Sequence, residues 1–159
     1  MTATSENHGH DVWLVAVRRY FLVIGGANIA WETAQLPLYT LWSTGTLREK
    51  VVAVEHCTAG DVAIGAVVLL LSLALVGAQD WPRERFVIVA TAATLLGLAY
   101  TAYSEWLNTE VLKNWAYSDR MPRLPGTSLG LSPMLQWALL PPLALWSARM
   151  AVRLPSDKG

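Results

Sequence analysis

Charge and sulfur are scarce in this chain. Its 159 residues include one cysteine, Cys57, and three histidines, of which His8 and His10 lie in a polar N-terminal stretch. A single thiol excludes an internal disulfide framework and gives no zinc motif. His56, alone among the apolar segments, argues against a bis-histidine haem, while one-ligand haem stays open. There is no Glu-x-x-His pair of the kind that di-iron bundles use. Charged residues make up 15%, against roughly 25% in an ordinary soluble domain. Twelve basic residues balance twelve acidic ones, so nothing points to nucleic acid. No internal repeat is evident, and no cofactor is specified.

What the chain has instead is apolar surface, 53% of its residues, gathered in blocks. One domain is expected by length. The fold class that follows is all-α: an integral-membrane, up-down four-helix bundle. Residues 1–12 read as a disordered cytoplasmic tail, 13–153 as the membrane domain and 154–159 as a C-terminal tail. Spans are expected near 20–42, 59–77, 86–106 and 133–150, each about 18–23 residues, enough for about 30 Å of hydrocarbon.

Local signals set the boundaries. Pro37 should kink or end the first span. Arg18-Arg19-Tyr20-Phe21-Leu22 resembles a twin-arginine export signal, but no small-x-small cleavage site follows and three more spans do, so the pair reads as a cytoplasmic anchor. Residues 43–57 read as a short connection, partly helical. Thr58 with Asp61 looks like a capping box that opens the second span. Asp80 and Pro82 suit the start of the third, which continues helically towards Leu112. Ser132-Pro133 reads as a cap followed by proline for the fourth, with Pro141 and Pro142 inside it. The prolines free the carbonyls of Trp137 and Ala138.

Basic residues bias the orientation. Arg18, Arg19, Arg83, Arg85, Arg149, Arg153 and Lys158 fall on one side, and Arg48, Lys50, Lys113, Arg120 and Arg123 on the other. Both termini are therefore expected in the cytoplasm, and the chain in a bacterial inner membrane.

The polar residues within the spans carry the functional reading. Asn28, Glu32, Gln35 and Tyr39 share one helix face. An ionisable group in a membrane segment is expensive and faces a partner or a cavity. By helical rise, Glu32 and Gln136 lie about 20 Å above the cytoplasmic end, Gln35 and Asp61 about 24 Å, and Tyr39, Tyr103 and Glu105 about 27–30 Å. The lower half holds only serine and threonine. The expected object is a bundle sealed below, with a polar pocket opening outward. The connection 108–130 would roof it, and Trp31, Trp106 and Trp137 would wall it.

Glu32, His56, Asp61 and Glu105 are the candidate catalytic residues. Asn28, Trp31, Gln35, Tyr39, Tyr103, Asn108, Gln136 and Trp137 are the candidate ligand contacts. Each has a plainer role. Glu32 could simply bond Gln136 between helices, Asp61 could cap, His56 could be interfacial, and Glu105 with Asn108 could be a solvated helix end. Mid-depth tryptophans more often pack than line a site.

Three functions follow. One is binding of a small or lipid-like ligand, with acid/base chemistry of the isomerase type, because carboxylates in a low-dielectric site titrate apart. In architecture alone this resembles four-helix sterol-isomerase-like membrane proteins, whose motifs do not map onto the chain residue by residue. A second is metal or proton handling by Glu32, His56, Asp61 and Glu105. A third is an accessory subunit or homo-oligomer, with Gly25, Gly26, Gly65 and Gly97 permitting close packing. Whether the chain is an enzyme stays open between them. The bilayer is a partner in all three.

Overall fold

The computed structural model describes the backbone of residues 3–77 and 81–153 and the side chains from Val12 onward. Helices are α1 (Ala3–Gln35), α2 (Leu41–Thr44), α3 (Leu47–Val76), α4 (Phe86–Trp106) and α5 (Leu131–Arg153). A 3-10 turn, Leu36–Leu38, follows α1, and a π-helical turn, Leu107–Val111, extends α4. Among the described residues there is no strand, only two isolated bridges.

Among the described residues three helical stretches are long and apolar enough to cross a membrane: Val12–Leu38, Leu47–Val76 and Phe86–Val111. The 23-residue α5 is long enough but less apolar. Ser132, Gln136, three prolines, Arg149 and Arg153 dilute its hydrocarbon. The backbone of α1 is helical from Ala3, so no break in the helix marks the expected tail boundary at 12. The side chains of 1–11, His8 and His10 among them, lie outside the described residues, as do Asp80 and the tail 154–159.

Four long helices pack in a ring: α1 against α3 and α5, and α4 against α3 and α5. Their buried faces change chemistry along the bundle. On α1 the buried stripe runs Ala16, Tyr20, Ile24, then Asn28, Glu32, Gln35. On α4 it runs Val89, Ala93, Gly97, then Thr101 and Glu105. On α5, Gln136 and Trp137 give way to Leu140, Ala144, Leu145 and Ala148. One end of the core is therefore hydrocarbon and the other polar, as helical depth predicts. Large apolar side chains such as Leu22, Leu70, Leu75, Val87 and Leu95 point outward, as a lipid-facing surface requires.

Close approaches fix the packing. Tyr20 donates to the carbonyl of Gly65 at 3.0 Å, where a Cβ would stand 3.1 Å from the phenol oxygen. Trp137 lies against Gly97. Gly25 and Gly26 make no such approach. Arg19 Nε donates to Ser147 Oγ at 2.9 Å and ties α1 to the far end of α5.

Several expected boundaries are corrected. The second span does not start at Thr58. Thr46, extended in backbone, caps α3 through a full box with Glu49: Glu49 N–H donates to Thr46 Oγ1 at 3.3 Å, and Thr46 N–H to Glu49 Oε2 at 2.8 Å. A glutamate reaches back more readily than Asp61 would, and Gly45 before it lets the chain turn. Most of 43–57 is therefore helical, and Thr58 and Asp61 sit mid-helix. Pro82 precedes α4 rather than opening it, because the helix begins only after Arg85, whose φ is +50°. The helix α5 starts at Leu131, so Ser132 lies within its first turn. Pro37 does end α1, two residues after Gln35.

Candidate functional site

Three helices bring the polar ends of their buried stripes together. Asn28, Glu32 and Gln35 come from α1, Asp61 from α3, and Ser132, Gln136 and Trp137 from α5. Gln136 is the hub. Its Nε2 lies 2.7 Å from Asn28 Oδ1, 2.9 Å from Glu32 Oε1 and 2.8 Å from Asp61 Oδ2. A carboxamide nitrogen carries two hydrogens, so three acceptors compete for them. Gln35 Nε2 donates to Glu32 Oε1 at 2.8 Å and reaches Gln136 Oε1 at 3.3 Å. Trp137 Nε1 donates to Asp61 Oδ1 at 3.3 Å.

The rim is built from hydroxyls and indoles. Ser132 Oγ donates to Gln35 Oε1 at 2.8 Å and accepts from Trp31 Nε1 at 3.2 Å. Ser132 was legible only as a cap. The missed signal is its spacing, one helical turn from Gln136, which puts both on the same face of α5.

Glu105 sits in a second polar group. It is buried, and the Tyr117 hydroxyl donates to its Oε2. That hydroxyl also accepts from Gly130 N–H at 3.1 Å. Tyr39 packs its ring 5.5 Å from that of Tyr117 and pairs with it across an antiparallel bridge. Ser118 N–H to Leu38 O at 2.9 Å and Thr40 N–H to Ala116 O at 3.0 Å complete the strap. The connection 108–130 thus folds back onto the ends of α1 and α4, held by Tyr117. Burial pushes the Tyr39 phenol well above its ordinary range, and Glu105 beside it acts the same way. Burial and the bond to Glu105 do the same for Tyr117.

The carboxylates stand without cations. Among the described residues the one ion pair is Lys113–Glu110, 3.4 Å, on the surface. Glu32 and Asp61 both lie within hydrogen-bond reach of the one Gln136 nitrogen.

The remaining expected residues stand apart. His56 is exposed and lines a hollow of about 410 Å³ on the outside of α3, with Arg48, Glu49, Val52 and Ala53. The continuous helix turns it away from Asp61. Tyr103 and Trp106 are exposed, 56% and 47%, and stack on each other with centroids 6.2 Å apart. They face outward and wall nothing. Asn108 is occupied at the helix end: its Nδ2 donates to Ser104 O at 2.8 Å, and its Oδ1 accepts from Asn114 at 2.6 Å. Among the described residues no three His, Cys, Asp or Glu side chains group as metal ligands. With His56 outside, the four-residue metal set does not assemble.

Set against family models, curated proteins and solved structures, the chain matches none.

Proposed function

We propose that this chain is a four-span inner-membrane protein, both termini cytoplasmic, whose polar end binds a small or lipid-like ligand from the periplasmic side. The observation that carries the reading is the hub. Glu32 and Asp61, from two helices, share one carboxamide donor on a third, with Asn28 competing for the same two hydrogens. A buried Glu32 and a half-buried Asp61 with no cation beside them among the described residues are costly in a low-dielectric interior. A structural cross-link between helices would use serine or asparagine at less cost. The arrangement suits a third party that brings a proton or a hydrogen-bond donor: a hydroxyl, an amine or an acid proton.

The same pair supports acid/base chemistry as the reaction class, with Glu32 and Asp61 in place of the wider set that included His56. Proton transfer within a hydroxyl- or carbonyl-bearing lipid would need no other group from the chain than these two and the donors around them. Trp31 and Ser132 lie beside the site at the α1–α5 seam, and the strap of Tyr39 and Tyr117 packs at the same end of the bundle.

Native mass spectrometry of the protein extracted gently from its own membranes tests this. A discrete added organic mass is expected on the parent protein and reduced in Glu32→Gln, which still inserts. Equal retention by both proteins would sink the central role of Glu32. A stoichiometric protein partner in place of the ligand would favour the accessory-subunit reading.

A further inference from the structure

At the opposite, apolar end of the bundle, α4 and α5 leave a groove of about 290 Å³ between them, lined by Phe86, Val87, Ala90, Thr91, Thr94, Leu95 and Pro142. Its walls are hydrocarbon. The Thr94 hydroxyl is spent on the Ala90 carbonyl at 2.8 Å. Pro142, with no N–H to offer, forms part of the α5 side. From Phe86 to Leu95 the groove follows α4 for about 14 Å, close to the depth of one leaflet. Val87 and Leu95 are strongly exposed, 71% and 61%, so the groove opens sideways towards lipid rather than into the bundle.

The end of the groove is marked by charge. The Arg149 guanidinium lies over the Phe86 ring, 4.6 Å from its centroid. Its Nε is buried and has no hydrogen-bond partner. No carboxylate pairs with it among the described residues. Beside it begins α4, a 21-residue helix whose cap residue, Arg85, makes no side-chain capping bond. The first N–H groups of that helix are therefore available to an acceptor, and the helix dipole favours an anion there. Arg83 and Arg85 precede this helix, and Arg153 closes α5.

We propose that this groove holds one phospholipid of the leaflet on the terminal side, its anionic headgroup phosphate on Arg149 and the start of α4, and one acyl chain along Phe86 to Leu95. The chemistry asks for both parts at once. An anionic headgroup, whose phosphate has no ammonium of its own beside it as a zwitterionic lipid has, pairs with the Arg149 guanidinium, which no carboxylate meets among the described residues. A chain fills an apolar groove that opens to lipid. A free phosphate would use the first part only. The site lies at the other end of the bundle from Glu32 and Asp61 and does not depend on the function proposed for them.

The test is a lipid titration of the purified full-length protein in a neutral detergent, read by native mass spectrometry. Phosphatidylglycerol and phosphatidylcholine with matched acyl chains are compared. The parent should hold one phosphatidylglycerol about fivefold more tightly than phosphatidylcholine, one basic residue's worth of attraction. Arg149→Ala should abolish that preference. Thr91→Phe, which fills the groove from an exposed position, should weaken both lipids while leaving the preference. Inorganic phosphate at millimolar concentration should not displace the lipid. Equal binding of the two lipids by the parent overturns the proposal, and so does a preference that survives in Arg149→Ala. Should Arg149→Ala fail to fold, Thr91→Phe decides alone: unchanged binding of phosphatidylglycerol would exclude the groove.

Discussion

Gly97 on α4 lies directly under Trp137 on α5. A methyl group placed on Gly97 would stand 2.1 Å from the indole Cε3. That approach fixes the indole whose N–H reaches Asp61. Gly97→Ala must move a buried ring, and such overpacking costs about 1–3 kcal/mol. The expected result is a lower unfolding midpoint in detergent. A variant that melts with the parent would mean that α4 and α5 separate at no cost.

Gln136→Leu removes the shared donor and leaves Asn28 Oδ1 and Asp61 Oδ2 without one, while Glu32 Oε1 keeps Gln35. A buried group left without its bond costs about 1–3 kcal/mol, so the destabilisation should be large for one side chain. The Asp61→Asn change brings a donor of its own to the hub. Combined with Gln136→Leu, it should recover part of the loss. Denaturant titration of both single variants and the double variant gives the coupling; additive losses would count against a common hub.

Tyr117→Phe removes the donor to Glu105 and the acceptor for Gly130 together. The bundle should persist while the connection loosens. Trypsin should then cut after Arg120 or Arg123 several-fold faster than in the parent, with the four long helices still intact. Unchanged cleavage would mean that the backbone bonds to Leu38 and Thr40 hold the strap by themselves.

Alkaline pH bears on the same strap. Tyr39 and Tyr117 both have phenols held above the ordinary value of 10.0 by burial and by Glu105. A raised folded value means that the neutral phenol is favoured by folding. Its contribution is complete below the unfolded value and is lost as pH climbs through the folded one. Tyrosinate absorbance should show late-ionising phenols, one fewer in Tyr117→Phe. Trypsin-independent probes of the strap should find it closed up to about pH 10.

Membrane orientation is open to a direct test. A reporter active only in the cytoplasm, fused after Gly159, should work, and one inserted in 118–128 should be silent. The reverse pattern would turn the polar end towards the cytoplasm.

Much of the polar end was legible from periodicity. Asn28, Glu32 and Gln35 share a face because 3.6-residue geometry demands it, and equal helical depth brought Gln136 and Asp61 level with them. The misplaced pieces had competing local signals. Thr58 and Asp61 look like a helix start, yet Thr46 and Glu49 make the better box twelve residues earlier, and one continuous helix then swings His56 outward. Tyr103 and Trp106 have the right depth and the wrong azimuth. Depth comes from counting, whereas azimuth needs the neighbour's position. Tyr117 could not be found at all by pattern, since a side chain on an irregular connection has no period to betray its direction.

The hub at Gln136 has two hydrogens and three claimants. Gln136 can serve only two of Asn28, Glu32 and Asp61 at once, so its pairings compete, and Gln35 or Trp137 holds whichever carboxylate is left out. A guest that supplies one more hydrogen removes that competition. It selects one pairing and fixes α1, α3 and α5 relative to one another. Occupancy at a single buried amide would then be felt as stiffness across three helices.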